Sequence, residues 1–275
     1  MEKGITNIFK LWAMISKYFR PTIVLIKINL AYFATYRANF FSSMIADLSW
    51  SIFLLLSMVF LTSRVKQIGS WNRTDILMLT CAANIILGFL AVIAKNFFQF
   101  SNTIHMGKLD TILLKPVDSQ FLMSFQHINP SKLARIIMCA VIMIYLATSA
   151  HLSISFSQIA IFTILILIGF IAVYSLWFTI SAITIWYSKL SNLTDLLFEV
   201  TNTIRYPRDV FFELNILFGL FLIPLTFFVV PPTEALLGRD YYQGAIILVI
   251  TAVILTITSR SFWRYALRSY TSVNS

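Results

Sequence analysis

The sequence predicts an all-α integral membrane protein that crosses the bilayer six times, and three observations lead to it. Of its 275 residues, 59% are apolar or aromatic and only 12% are charged, roughly half the charged share of an average soluble domain. The mean hydropathy is +0.82, and a water-soluble fold of this size cannot hide so much apolar surface. The apolar residues fall in continuous runs close to the ~20 residues that a helix needs to cross ~30 Å of hydrocarbon. They lack the dyad alternation of a membrane barrel. Lys and Arg collect on one side of those runs. With 8 Gly, 7 Pro and 2 Cys, the chain is neither a disordered polymer nor a disulfide scaffold; Cys81 and Cys139 read as small buried hydrophobes.

The elements follow in order. Residues 1–38 form an interfacial unit. Trp12, Ile15, Phe19, Ile23, Ile26, Leu30 and Phe33 recur at steps of three and four on one helical face, and Lys10, Lys17, Arg20 and Lys27 lie on a neighbouring one. Such a basic amphipathic helix lies in the plane of the membrane interface, and Pro21 is expected to kink or divide it. A membrane domain follows at 39–258, with spans at Asn39–Thr62, Ile76–Phe100, Leu133–Ala150, Ile159–Tyr187, Val210–Val230 and Gly244–Thr258. Residues 259–275 are expected to be a C-terminal tail. No compact apolar core with a small-residue cleavage site marks a signal peptide.

Charge orients the chain. Lys3, Lys10, Lys17, Arg20, Lys27 and Arg37 precede the first span, and Lys108, Lys115, Lys132 and Arg135 lie between the second and third. Lys189, Arg205 and Arg208 follow the fourth; Arg260, Arg264 and Arg268 follow the last. The other side holds Arg64, Lys66, Arg73 and Arg239. Both termini are therefore expected in the cytoplasm, with the chain in a bacterial-type cytoplasmic membrane. The net charge of +10 attracts anionic headgroups and holds topology, without implying nucleic acid. Trp71, Tyr241 and Tyr242 are expected in an outer aromatic belt, and Trp263 and Tyr265 in an inner one.

The long cytoplasmic loop is 101–132. Met106, Leu109 and Leu113 follow i, i+3, i+7 and would line one side of a short helix, which Pro116 ends. Asn129-Pro130 reads as an N-cap followed by Pro at the first helical position of the third span. By spacing alone, the short helix either covers the end of the bundle or docks in a groove on a soluble partner.

Polar groups inside spans are functional candidates by default. Asp47 and Lys95 should sit about 12 Å and 8 Å from the cytoplasmic ends of their spans, where they are expected to pair across adjacent helices. Asn84 is expected to hydrogen-bond between helices. No phosphate-binding Gly-x-x-x-x-Gly-Lys-Ser/Thr loop and no His-Glu-x-x-His occurs, so the chain is read as non-enzymatic, with no catalytic residue, cofactor or metal site of its own. A lipid-modifying enzyme would have to build on Asp195, Glu199, Asp209 and Glu213, which lack a partnering His. An ATP-independent secondary transporter or channel would be expected to show internal repeats and charge relays.

A set of short motifs then adds a family. Gly69-Ser-Trp71 leads to Asp75 before the second span, and Gly107-Lys-Leu-Asp110 precedes Leu113-Leu-Lys-Pro116 in the loop. Arg205-Tyr-Pro207 follows, then Pro224, Pro231-Pro-Thr-Glu234 and Gly238. In this order, across the whole chain, they resemble the permease subunits of ABC-2-type ABC transporters, in particular a poorly characterised branch. The resemblance implies an exporter in which a separate ATPase subunit binds ATP and Mg, alongside a second permease subunit, identical or related. It implies a coupling helix at Met106, Gly107, Lys108, Leu109, Asp110, Leu113, Lys115 and Pro116. It also implies an outer re-entrant region involving Tyr206, Pro207, Pro224, Pro231, Pro232 and Glu234. That arrangement would place the fifth span at Leu190–Ile204, against the hydropathy reading of Val210–Val230, and would move Arg205 and Arg208 to the outer side.

Overall fold

The computed structural model describes residues 21–64, 67–187, 193–207, 209–212 and 222–270. All of the expected amphipathic stretch before Pro21 lies outside them. The described part of helix α1 is Pro21–Thr35. Tyr36 breaks the helical run, and α2 starts at once, Arg37–Arg64. A hairpin pairs Gln67–Ile68 (β1) with Trp71–Asn72 (β2), turning through Gly69 at φ 58°; this left-handed conformation suits Gly in a two-residue turn. Then come α3, Arg73–Phe98, and three short helices, α4 (Phe100–His105), α5 (Lys108–Leu113) and α6 (Ser119–Phe125).

Asn129 caps the turn at Pro130, its side-chain oxygen accepting the Ser131 N–H at 3.2 Å, and α7 runs Leu133–Ser149. Helix α8 spans Phe156–Ala182, opened by Ser155 and Gln158, which cap each other's backbone. Short helices α9 (Leu193–Asn202) and α10 (Asp209–Phe212) follow. A helical stretch over Leu222–Leu236 ends in α11, Val230–Leu236. The last helix, α12, runs Tyr242–Arg268.

Five of these helices are long and apolar enough to cross a membrane. Helix α3 is the axis: 78% of its apolar window is buried, against 17–33% for the other four. Small residues let neighbours close on it. Cys81, Ala82 and Ala83 are fully buried, and a Cβ on Gly88 would lie 2.7 Å from Ile136 of α7. Helices α2, α7 and α8 pack around α3, and α12 lies along α8. The outer faces of α2, α7 and α12 expose Phe53, Phe60, Ile137, Ile144, Ile250 and Ile257 at 53–71%. An apolar face of that extent around a bundle is the surface that lipid covers.

The remaining expected crossing falls largely on residues outside the described ones. The described part of helix α9, Leu193–Asn202, has 10 residues, about 15 Å of rise, and the residues just before it lie outside the described ones. The family-based span Leu190–Ile204 begins outside the described residues, and much of the apolar run Val210–Val230 also lies outside them. The described part after it turns back into the bundle. Phe228 meets α8 so closely that a Cβ on Gly169 would lie 2.5 Å from its carbonyl oxygen. From there α11 leads back to Gly238, beside Gln158 at the start of α8. Val229, Pro231, Pro232 and Thr233 are buried throughout.

Candidate coupling site

The loop between α3 and α7 is folded and sewn to the bundle. Gly107, at φ 65°, reverses the chain between α4 and α5, a conformation that costs Gly little. Leu109 and Ile112 of α5 then point inward at 0% and 4% exposure. Met106, Leu113 and Leu114 point outward at 60%, 41% and 86%. The expected stripe of Met106, Leu109 and Leu113 is therefore divided, because α5 begins only at Lys108 and Met106 belongs to the end of α4. The inward face covers the bundle end, and the outward face is an apolar knob with Lys108, Asp110, Lys115 and Pro116 around it.

Side chains from four helices hold this loop. Asn96 of α3 donates to the carbonyls of Ser124 (2.8 Å) and His127 (2.7 Å) and accepts the His127 N–H (2.9 Å). Asn29 of α1 donates to the Gln126 carbonyl and accepts the Ile128 N–H, both at 3.2 Å. The Ser124 hydroxyl lies 2.7 Å from that of Tyr174 on α8. From α12, Trp263 donates to Ser119 Oγ (3.0 Å) and Arg260 donates to Asp118 (3.0 Å) and Gln120 (3.1 Å). Asp118 also accepts the Phe121 N–H at 3.0 Å, capping α6. Burial works to raise the Asp118 pKa, but the hydrogen bonds from Arg260 and Phe121 outweigh it and hold the carboxyl below its usual range. The structure thus corrects the expected tail from residue 259. Helix α12 continues ten residues past Thr258, and Ser259, Trp263 and Ala266 are buried against the loop and α8. Sequence reasoning missed this clamp; its one signal was Asp118, an N-cap residue type ahead of an apolar run.

The intramembrane polar residues are also redistributed. Asp47 does not pair with Lys95. It takes both Nε (3.0 Å) and a terminal nitrogen of Arg135 on α7, with Lys132 Nζ at 3.4 Å. The Asp47 and Arg135 side chains are 6% and 8% exposed. Arg135, expected among the loop cations, is the third residue of α7 and reaches across to Asp47 on α2. Lys95 is exposed in the last turn of α3. Asn84 bonds within its own helix, to the Thr80 carbonyl at 2.9 Å, and its side-chain oxygen has no partner.

At the opposite end of the bundle, Arg239 pairs with Asp75 and lies 5.1 Å over the Trp71 ring. Trp71 and Trp263 are 1% and 0% exposed, so both pack inside instead of forming belts; Tyr242 and Tyr265, at 65% and 61%, stay outside. The Asp209 carboxylate accepts the Ser70 N–H at 3.4 Å; Glu213, of the same acidic set, lies outside the described residues. Tyr206 and Pro207 form the turn before α10; Pro224 is exposed; Pro231 and Pro232 occupy the first turn of α11; Glu234 is half-buried in it. Among the described residues no group of His, Cys, Asp and Glu is arranged to hold a metal.

A bundle of apolar helices around a buried axis, with lipid-type outer faces and a folded loop at one end, defines a multi-pass membrane protein. Residues 48–274 match the profile of the ABC-2 family transporter proteins. The chain belongs to that family of transport membrane components. No curated protein and no solved structure matches it.

Proposed function

We propose that this chain is the permease subunit of an ATP-driven exporter, working with separate ATPase subunits that bind ATP and Mg and with a second permease, identical or related. The reading places both termini in the cytoplasm of a bacterial-type cell and the α4–α6 loop against the ATPase. One observation carries it: the loop presents Met106, Leu113 and Leu114 to solvent while Asn96, Asn29, Tyr174, Arg260 and Trp263 tie the same loop to the bundle. A docking knob that is rigidly attached to the membrane helices passes a displacement on to them. Permeases of this family generally work with an ATPase subunit, and an exposed apolar knob on a short helix fits a groove on a soluble partner.

The test is co-purification with the cognate ATPase and the hydrolysis rate of the assembly. Leu114→Glu and Met106→Glu, both on the exposed face, should release the ATPase while leaving the thermal transition of the isolated chain within about 0.5 kcal/mol of wild type. Retained binding in both variants would remove the coupling role from this loop. Transport by the reconstituted chain without ATP would instead favour the secondary-transporter alternative.

A further inference from the structure

A cavity of about 630 Å³ opens where α1 crosses the loop, within the size range of sites for small ligands. Leu25, Ile28, Tyr32 and Phe33 of α1 form one wall. Asn29, Gln126 and Asn129 line the polar side, and Lys95 and Lys115 are its cations. Neither lysine has a carboxylate partner among the described residues, whereas neighbouring Lys132 is engaged by Asp47. No Asp or Glu among the described residues lines the cavity. An adjoining cleft of about 350 Å³ shares Lys115, Gln126 and His127 and adds Lys108. On the other side, Phe33 is shared with an apolar groove of about 350 Å³ lined by Leu30, Phe40, Phe41 and Pro130, with Arg37 among its residues.

Two uncompensated ammonium groups facing one concavity raise its potential and draw an anion. The effect on His127 agrees: burial first, then the charges of Lys95 and Lys108, hold its imidazole below the ordinary 6.5. The apolar groove argues that the anion carries a hydrocarbon tail, since a free phosphate would leave Leu30, Phe40 and Phe41 uncovered. Basic pockets beside apolar helix faces at the membrane edge match anionic lipid headgroups.

We propose that this cavity binds one anionic phospholipid, with the phosphate between Lys95 and Lys115, the rest of the headgroup against the amides of Asn29, Gln126 and Asn129, and an acyl chain along the groove past Phe33. A lipid held there touches α1, α3 and the loop together, so its occupancy fastens the first helix to the element proposed to meet the ATPase. The site itself does not depend on that proposal.

The test uses the full chain in detergent, delipidated and titrated with mixed micelles of phosphatidylglycerol or phosphatidylcholine, with bound lipid counted by native mass spectrometry. Wild type should retain phosphatidylglycerol in preference to phosphatidylcholine. Lys95→Gln with Lys115→Gln should weaken phosphatidylglycerol about twenty-five-fold, from roughly five-fold per lysine, and leave phosphatidylcholine unchanged. Arg264→Gln with Arg268→Gln removes the same charge from exposed positions on α12 and should change neither. Lys95→Arg with Lys115→Arg should restore binding, which separates loss of the site from loss of the fold. Undiminished phosphatidylglycerol retention in the Gln pair, or equal retention of the two lipids by wild type, overturns the proposal. So does displacement of the lipid by inorganic phosphate or glycerol phosphate at equal concentration, which would assign the site to a soluble anion.

Discussion

Replacing Asp47 by Ala tests a buried ion pair that joins α2 to α7. The substitution leaves the Arg135 guanidinium, on a side chain 8% exposed, without its two hydrogen bonds and without a counter-charge. Stranding one partner of a buried ion pair costs about 3–5 kcal/mol, and Lys132, whose Nζ stands 3.4 Å from the wild-type carboxylate, also loses its counter-charge. For a chain of this length, about 2–4 °C of Tm per kcal/mol puts the loss on the order of 10 °C. The assay is thermal unfolding in detergent followed by size exclusion, run as a cycle with Arg135→Met and the double variant. Each single change should be costly. The pair should recover much of the loss, because an apolar replacement of both partners restores packing without an orphaned charge. Lys95→Met, on the exposed end of α3, should cost under about 1 kcal/mol. If Lys95→Met matches Arg135→Met, or if the cycle is additive, the pairing across α2 and α7 is wrong.

Other outcomes follow from single contacts. Gly169→Ala pushes a Cβ to 2.5 Å from the Phe228 carbonyl oxygen and should cost about 1–3 kcal/mol through overpacking; an unchanged Tm would mean that the 222–236 stretch does not rest on α8. Asn96→Ala removes three hydrogen bonds to Ser124 and His127 and should cost about 2–3 kcal/mol, with hydrogen exchange rising first at residues 124–129. Because the folded protein holds His127 below 6.5, the unfolded chain binds more protons there. Stability is therefore complete above 6.5 and falls as pH drops through 6.5 toward the folded value. His127→Gln should flatten that part of the Tm–pH curve, and a wild-type curve that rises on acidification would contradict it.

The sequence made the membrane class and most helix positions legible, because hydropathy and length answer directly to the bilayer. Asn129-Pro130 also announced its turn correctly, since both residues act on local backbone alone. What could not be read was pairing. Asp47 has two cations within plausible depth, Lys95 and Arg135, and one-dimensional spacing cannot say which helix faces which. The hairpin at Gly69-Ser70 was missed as a strand pair because four paired residues give no periodicity to detect. The end of α12 was misplaced because hydropathy stops at the membrane edge while the helix does not: from residue 259 on, α12 is held by Asp118, Ser119 and Gln120, partners more than a hundred residues away in sequence. The motif residues of the loop are visible in the sequence, but their division into an inward Leu109 and an outward Leu114 is set by the fold. One left-handed glycine sets the phase of α5.

The attachments of the loop differ in kind, and this bears on how it could move. Asn96 and Tyr174 grip from the most buried helix and its neighbour, so the α6 end of the loop shares the rigidity of α3 and α8. Arg260 grips Asp118 from a side chain 37% exposed, where water weakens an ion pair. Asn29 reaches from α1, whose remaining surface is largely exposed. A force applied at Leu114 therefore meets a stiff connection toward α3 and softer ones toward α1 and α12. The expected first response is a tilt of the loop together with α3, with α1 and the end of α12 giving way. Because α3 also carries Asp75 at its far end, where it pairs with Arg239, such a tilt would load that ion pair directly. The opposite face of the bundle is thus mechanically one helix away from the loop.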